Sequence, residues 1–149
     1  GHHETTELMI RALLKYHNKN MSVLDIGTGS GILSIISNKL GSKKILAIDN
    51  DYNIKNNFIE NSKLNNVDMK LEIVNCLDIN NFEYDLILAN ISLTVLTELL
   101  PKINKSQNLK IISGLLNINL ESIKNVLDEN NFKLIKTYKK REWLCLVIK

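Results

Sequence analysis

The sequence predicts an α/β domain in which helices cover both faces of a doubly wound, mostly parallel sheet of seven strands with an antiparallel closing strand. Three observations predict this fold. Short apolar runs alternate with segments whose apolar residues recur at helical spacing. The first run leads into a glycine cluster that opens a helix. The last two runs are separated only by a basic turn, which is typical of an antiparallel pair.

The strands are predicted from apolar runs bounded by polar or glycine-containing segments. The first run ends where the glycines begin, and the fourth is strongly apolar. The predicted strands are residues 21–26, 44–49, 70–75, 84–89, 109–113, 132–138 and 143–148.

The helices are predicted from apolar spacing and from residues typical of helix ends. Gly41 ends the second helix, and Asp51 is a good N-cap for the third, in which Ile54, Phe58 and Ile59 are expected to face inward. The only proline, Pro101, lies near the end of the fourth helix. The predicted helices are residues 4–17, 32–40, 51–64, 93–103 and 118–129.

The composition is that of a folded globular domain. With 149 residues, of which 44% are hydrophobic, the chain can bury a substantial core as one domain, residues 1–149. The net charge of +3 suits an acidic or RNA-associated partner without demonstrating either. Lys139-Lys140-Arg141 is interpreted as a solvated turn, so direct DNA binding is not expected.

The cysteines and the apolar segments predict a cytoplasmic protein. Cys76 and Cys145 lie far apart on predicted strands and are interpreted as buried free thiols of a reducing compartment. No apolar stretch approaches about 20 residues and no signal peptide is recognised, so we expect no contact with a membrane.

The most informative segment is VLDIGTGSGIL, residues 23–33, in which a strand delivers three glycines to the start of a helix. Glycines there permit positive φ and let backbone N–H groups approach a ligand at the carboxyl end of the sheet. The spacing is G-x-G-x-G, because Ile32 stands where the last glycine of a dinucleotide-binding G-x-G-x-x-G would fall. No Gly-Lys-Ser/Thr follows, so the segment is not a P-loop.

Two acidic residues indicate the kind of ligand. Asp25, two residues before Gly27, would repel a pyrophosphate but suits the ammonium and sulfonium of S-adenosylmethionine (AdoMet). Asp49, 22 residues after Gly27, ends the second predicted strand, where a carboxylate accepts the hydroxyls of an adenosine ribose. Alone, Asp49 could equally be a strand-end acid in a turn. After a D-x-G-x-G-x-G pattern, an AdoMet site is the better interpretation.

These segments and their flanks resemble the PrmA family, the AdoMet-dependent methyltransferases of a large-subunit ribosomal protein, over essentially the whole chain. The matching segments are, in order, GHHETT, VLDIGTGSGIL, AIDND, YDLILANI, ISGLL and REWLCLVIK. The resemblance implies a Rossmann-like class I AdoMet-dependent methyltransferase fold. It also implies methyl transfer to Lys side-chain or N-terminal amines of the ribosomal protein. Because the family has a separate N-terminal domain that captures this substrate, we expect the chain to be a catalytic fragment without it.

The opening segment, GHHETT, has three interpretations. A tag remnant would supply Gly1 and His2, as expression scars do. A metal site would use His2, His3 and Glu4, but adjacent histidines diverge in an extended segment and no third ligand set is visible. The G-x-H-x-T-T loop of the family fits the whole segment, so native sequence is favoured and no metal is expected. The resemblance implies that Thr5 and Thr6 lie beside the methionyl end of AdoMet.

Asn90 is the candidate catalytic residue, because the resemblance implies that it orients the acceptor amine at the end of the fourth strand. Its side-chain carbonyl, with backbone carbonyls around Ala89 and Ile91, can accept N–H bonds from that amine. The alternative is an Asn that caps the following helix, and both can hold. The predicted cofactor-binding residues are Thr5, Thr6, Asp25, Gly27, Thr28, Gly29, Gly31, Asp49, Asn50, Cys76 and Asn90.

Some positions depart from related enzymes. Cys76, with Asp78 two residues on, stands where an acid often contacts the adenine, so the adenine contact is left unassigned. Ile91 follows Asn90 in place of the Pro-Pro-Tyr of many amine methyltransferases, which is the PrmA-like form. The segment NKSQN, residues 104–108, lacks the usual glycine-rich turn. Tyr138 and Trp143 are interpreted as core rather than substrate-contacting aromatics.

Other functions stay open beside methyl transfer to a ribosomal protein. The acceptor could be a small molecule or an RNA base, because the same cofactor domain serves all of these. The chain could also be an adenosine-ligand-binding module without turnover. A dehydrogenase is disfavoured by the glycine spacing and by Asp25.

Overall fold

The structure, a computed structural model, describes residues 3–149 and contains one seven-stranded sheet. The strands are β1 Val23–Ile26, β2 Ile45–Asp49, β3 Lys70–Ile73, β4 Leu86–Asn90, β5 Leu109–Leu116, β6 Leu134–Lys140 and β7 Trp143–Ile148. The helices are α1 His3–Tyr16, α2 Ile32–Lys39, α3 Lys55–Leu64, α4 Leu93–Ile103 and α5 Leu120–Glu129. The strand order is β3-β2-β1-β4-β5-β7-β6. The first five strands are parallel, and β7 pairs antiparallel with β5 and β6, as predicted.

Two apolar cores cover the two faces of the sheet. One joins α1 and α2 to alternate residues of β1, β4, β5 and β7, and it includes the fully buried Leu8 and Leu13. The other joins α4 and α5 to the opposite face of the same strands, with Leu96 and Ile123 fully buried. Neighbouring strand residues therefore point into different cores, which explains why the central strands read as continuous apolar runs. No helix within residues 3–149 is both long and apolar enough to cross a membrane.

The third predicted helix begins later than expected. Asp51 caps a short 3-10 turn, Tyr52–Ile54, by accepting a hydrogen bond of 2.9 Å from Asn53 N, and α3 follows. Phe58 is buried as predicted, but Ile59 is 37% exposed, so its predicted inward orientation is wrong. The buried residues of α3 are Phe58 and Ser62, four positions apart, and Ile59 is turned about 100° from Phe58 around the helix axis.

The fifth strand is longer than predicted and contains a bulge. Its pairing with β7 shifts register between Ser113 and Leu115, at Gly114, and the strand continues to Leu116. The next helix therefore starts at Leu120, and Ile118 lies in a 3-10 turn where it is 84% exposed. The other element ends agree with the predictions to within two residues.

Both cysteines are buried and free, as predicted. Cys145 lies on β7, and burial raises the pKa of its thiol to about 12. Cys76 lies in a 3-10 turn, Cys76–Asp78, so its predicted place on a strand is wrong. Burial raises the pKa of the Cys76 thiol as well, so both thiols stay protonated near neutral pH.

A buried lysine holds the segment before β5, in place of a glycine-rich turn. Lys110 is fully buried, and its ammonium donates to the carbonyl oxygens of Ser106 at 3.1 Å and Asn108 at 2.8 Å. It also lies 5.2 Å from the centroid of the Phe132 ring. Burial, with the charge of Lys149 nearby, lowers the pKa of Lys110 from 10.5 to about 8.

We expect the Lys110 site to become more stabilising as the pH rises. Between its folded pKa of about 8 and its unfolded value of 10.5, the unfolded chain binds the proton more tightly, so deprotonation favours the folded state. The free energy of unfolding of the wild type, relative to Lys110→Met, should increase by about 1 to 3 kcal/mol across this window. Urea denaturation of both proteins at a series of pH values measures this difference. A difference that stays constant with pH would contradict the prediction.

Candidate functional site

The candidate site lies at the carboxyl ends of the parallel strands, where two cavities of about 420 Å³ and 590 Å³ adjoin. Gly27, Gly29 and Asn90 line both cavities. The first cavity extends over β2 and the end of β3, where Asp49, Asn50 and Cys76 are among its lining residues. The second lies between the glycine turn and α1, with Thr6 and Thr28 among its lining residues. A ligand that occupies both would pass over the glycine turn beside Asn90.

The three glycines of the turn are needed for two different reasons. All have positive φ, at 75° for Gly27, 55° for Gly29 and 87° for Gly31. A Cβ at Gly27 would lie 2.9 Å from Ile91 Cγ2, and a Cβ at Gly31 would lie 2.8 Å from the Phe58 ring. A Cβ at Gly29 would meet no atom within 4 Å, because this residue borders the cavities. Gly27 and Gly31 are thus required by packing inside the protein, and Gly29 leaves room for a ligand.

Asp49 joins the end of β2 to the glycine turn. Its Oδ2 accepts a hydrogen bond of 2.9 Å from Gly29 N, and its Oδ1 accepts one of 3.0 Å from Asp51 N. Each carboxylate oxygen keeps a further lone pair, and the residue lines the first cavity. Asp49 therefore has the turn-forming role considered for it from sequence, and it also remains able to accept ligand hydroxyls.

Asp25 lies beneath the glycine turn and lines neither cavity. It is 1% exposed, and its Oδ2 accepts hydrogen bonds from Thr28 Oγ1 at 2.8 Å and Ser34 Oγ at 2.6 Å. Burial raises the pKa of this carboxyl, and the nearby charge of Asp49 raises it further, against the lowering effect of the two hydroxyls. Asp25 thus fixes the turn from below, and its direct contact with a ligand ammonium stays a prediction.

Asn90 ends β4 and faces the junction of the two cavities. It pairs with Ser113 of β5 in the sheet and lines both cavities. Ser92 is the N-cap of α4, since its Oγ accepts from Val95 N at 3.4 Å, so the alternative that Asn90 caps this helix is wrong. The side chain of Asn90 is therefore not occupied as a helix cap.

The two predicted threonines of α1 differ in position. Thr6 lines the second cavity, whereas Thr5 is 1% exposed and lines neither. Gly1 and His2 of the GHHETT segment, which the tag and metal interpretations involve, lie outside the described residues. Within residues 3–149, no group of three or more His, Cys, Asp or Glu side chains could hold a metal ion.

The turn after β3 forms the far end of the first cavity. Asn75 Oδ1 accepts from Leu77 N at 3.0 Å and thereby holds the 3-10 turn that carries Cys76. Cys76 and Asn50 line the cavity, but Asp78 does not. Tyr138 and Trp143 line neither cavity, in agreement with their interpretation as packing residues.

Sequence reasoning missed the packing and hydrogen-bonding roles of three residues of the site. Ile91 lines the first cavity and contacts both Gly27 and Gly114, and Ser34 binds the buried Asp25. A Cβ at Gly114 would lie 2.1 Å from the carbonyl oxygen of Ile91. Only Gly114 left a signal in the sequence, since a lone glycine within an apolar run often marks a bulge or a close backbone approach.

The chain matches the family model described as "Ribosomal protein L11 methyltransferase (PrmA)" over residues 1–149. It is 35% identical over 150 residues to a ribosomal protein L11 methyltransferase of Dictyoglomus turgidum, covering 99% of this chain and 50% of that protein. It is 40% identical over 152 residues to one of Lactobacillus johnsonii, covering 99% of this chain and 48% of that protein. The chain thus spans about half the length of these curated relatives.

Solved structures show the same fold. A ribosomal protein L11 methylase from Lactobacillus delbrueckii subsp. bulgaricus has a TM-score of 0.94 and 33% identity, over 100% of this chain and 79% of that one. A magnesium protoporphyrin IX methyltransferase from Synechocystis, solved with bound SAM, has a TM-score of 0.81 at 16% identity, over 97% of this chain and 77% of that one. These likenesses confirm the predicted Rossmann-like class I methyltransferase fold.

The contact between Gly114 and Ile91 predicts that two glycine-to-alanine substitutions lower the free energy of unfolding by different amounts. Gly114→Ala has a φ of 92° and a clash with a backbone carbonyl, so we expect a loss of at least about 3 kcal/mol in the free energy of unfolding. Gly29→Ala also has a positive φ but open space, so about 1 to 2 kcal/mol is expected. Urea denaturation compares them, and equal costs would contradict the role assigned to Gly114.

Proposed function

We infer that this chain, which belongs to the ribosomal protein L11 methyltransferase (PrmA) family, is an AdoMet-dependent N-methyltransferase domain. It transfers methyl groups to Lys side-chain or N-terminal amines of a large-subunit ribosomal protein, in the cytoplasm. The observation that carries this proposal is the junction of the two cavities at the glycine turn, with Asp49 on one side, Thr6 on the other and Asn90 between them.

The described residues fit AdoMet at both of its ends. The first cavity suits the adenosine, because the Asp49 carboxylate can accept ribose hydroxyls and the cavity has apolar walls, Ile48 and Val95 among them. The second cavity suits the methionyl end, where Thr6, Thr28 and the open position at Gly29 offer hydroxyl and backbone N–H groups. Bound AdoMet supplies a methyl group activated by its positively charged sulfur.

Three of the predicted residues, Asp25, Gly31 and Thr5, support the site without lining either cavity. Asp25 holds Thr28 from beneath the site and thereby fixes the turn that faces the ligand. Gly31 lets the turn pack on Phe58 and start α2, and Thr5 anchors the first turn of α1 in the core. We propose Asn50 and Cys76 as neighbours of the ribose and the adenine.

Asn90 positions the acceptor amine. A lysine amine in water has a pKa of about 10.4, so a neutral nucleophile needs proton loss and a site that holds the remaining N–H bonds. The Oδ1 atom of Asn90 can accept one of them and thereby aim the nitrogen lone pair at the junction of the cavities. The chain's contribution is therefore mainly orientation and exclusion of water.

Two alternatives are distinguishable by experiment. The first is another acceptor, a small molecule or an RNA base, and it predicts methyl transfer to that acceptor but not to a ribosomal protein. The second is an adenosine-ligand-binding module without turnover, and it predicts binding without transfer. We also propose that an N-terminal domain, as in the family, captures the ribosomal protein. The chain spans about half the length of its curated relatives, which leaves room in them for such a domain.

Removal of the Asp49 carboxylate should weaken adenosine-ligand binding. Calorimetric titration with S-adenosylhomocysteine should show an affinity about 10- to 100-fold lower for Asp49→Ala, because two charge-assisted hydrogen bonds to the ribose are lost. Asp85→Ala is the matched control, since Asp85 bonds to Ser22 at the opposite end of the sheet and lines neither cavity. This control should lower stability and leave the affinity unchanged.

A 2′-deoxyribose analogue separates ribose contact from loosening of the glycine turn. The wild type should bind S-adenosylhomocysteine more tightly than the analogue, and Asp49→Ala should bind both equally. If the variant keeps the full preference for the 2′-hydroxyl, Asp49 does not contact the ribose. If the folded wild type binds no adenosine ligand, the cofactor assignment itself fails.

Asn90→Ala should impair methyl transfer more than cofactor binding. We expect a fall in kcat of about 100-fold or more, because the acceptor amine loses its orienting acceptor, with a change of about threefold or less in S-adenosylhomocysteine affinity. Transfer of labelled methyl from AdoMet to a purified large-subunit ribosomal protein measures kcat. Asp85→Ala is the control here as well, because Asp85 lies at the opposite end of the sheet and its loss should affect mainly stability. A kcat for Asn90→Ala equal to that of the wild type would overturn the assignment.

A further inference from the structure

Strand β3 is an edge of the sheet, and one side of its backbone has no partner strand within residues 3–149. On the inner side, Val74 N donates to Asp49 O of β2 at 2.9 Å. Backbone N–H and C=O groups alternate between the two sides of a strand, so those of Glu72 and Lys70 also point toward β2. The N–H and C=O groups of Leu71 and Ile73 therefore point outward, to the open side.

The two faces of this strand carry different kinds of side chain. Lys70 and Glu72 lie on one face, where their charged atoms are 3.2 Å apart and their side chains are 72% and 43% exposed. Leu71 and Ile73 lie on the other face and line a groove of about 600 Å³ between β3 and α3. Tyr52, which is 67% exposed, borders the same groove, so the open edge combines free backbone groups with uncovered apolar surface.

We propose that a second copy of this chain pairs with β3 in an antiparallel arrangement centred on Leu71, which makes the protein a two-fold symmetric dimer. In this register the outward N–H and C=O groups of Leu71 meet those of the partner's Leu71. Lys70 then lies opposite the partner's Glu72, and the symmetry repeats this ion pair. These pairs occupy the non-hydrogen-bonded positions, where cross-strand side chains come closest.

The sequence of the strand selects this register over its neighbours. A two-fold centre at Lys70 or at Glu72 would place like charges opposite each other, and a shift by one residue would set Lys70 against an apolar side chain of the other face. With the centre at Leu71, apolar residues also meet apolar residues, because Met69 lies opposite the partner's Ile73. The two grooves then become continuous across the symmetry axis.

The other edge of the sheet has no such self-complementarity. Strand β6 reads LIKTYKK, with three lysines and no acidic residue, so two copies would repel each other along it. Charged residues commonly protect edge strands from pairing, but protection requires that the charges be unfavourable in the paired state. On β3, pairing centred on Leu71 places each lysine opposite a glutamate of the other copy, so the charges attract each other in the paired state.

Sedimentation equilibrium of the wild type tests the dimer. The apparent mass should rise toward twice the 17.0 kDa chain mass as the protein concentration is increased to about 100 µM. Lys70→Glu and Glu72→Lys each convert two attractive pairs into two repulsive ones, so each should raise the dimer Kd about tenfold or more. The double variant, Lys70→Glu with Glu72→Lys, restores opposite charges in every pair and should return the Kd to near the wild-type value.

Lys139→Glu is the matched control, since it reverses an exposed lysine on the opposite edge strand and should leave the dimer unchanged. Rescue by the double variant also excludes misfolding as the cause of the single-variant effects. A wild type that stays monomeric up to about 100 µM would overturn the proposal. So would single variants that dimerise like the wild type, or a double variant that stays as weak as the single ones.

Discussion

The site depends on one steric constraint, which is the confinement of the Asn90–Ile91 segment between two glycines. A Cβ at Gly27 would lie 3.0 Å from the Asn90 carbonyl oxygen, and a Cβ at Gly114 would lie 2.1 Å from that of Ile91. The end of β4 is thus enclosed by backbone from β1 on one side and from β5 on the other. Because neither neighbour has a side chain there, three strand ends approach closely enough to hold Asn90 at the junction of the two cavities.

Two carboxylates then fix the glycine turn from opposite directions. Asp49 holds Gly29 from the end of β2, and Asp25 holds Thr28 from beneath. Within the described residues, neither acid forms an ion pair, and both are held by hydrogen-bond donors, with burial raising the pKa of Asp25. The Asp49 carboxylate, which lines the first cavity, suits a positively charged ligand. This combination supports an AdoMet site better than a pyrophosphate site.

The sequence predicted what local pattern determines and missed what distant contacts determine. The strand and helix segments, and the places of Asp49 and Asn90 at strand ends, followed from apolar periodicity and motif spacing, whereas the strand order came only from the structure. The contact of Gly114 with Ile91 joins residues from different strands, and no local signal identifies the partner. Ile59 was placed inward because it is apolar and follows Phe58, but the buried side of α3 is the one that carries Phe58 and Ser62. Such offsets depend on tertiary packing and not on residue preference.

The opposite end of the sheet shows why the carboxyl end can be left open. There, side chains satisfy the connecting backbone: Asp85 Oδ2 accepts from Ser22 N at 2.9 Å, and Asn108 Nδ2 donates to Tyr84 O at 2.7 Å. Lys110 adds donors to two further carbonyls. These contacts join the starts of β1, β4 and β5 without glycines. Because the strands are fixed at their amino ends, their carboxyl ends can approach closely at Asn90 and still leave backbone N–H groups and cavity space for a ligand.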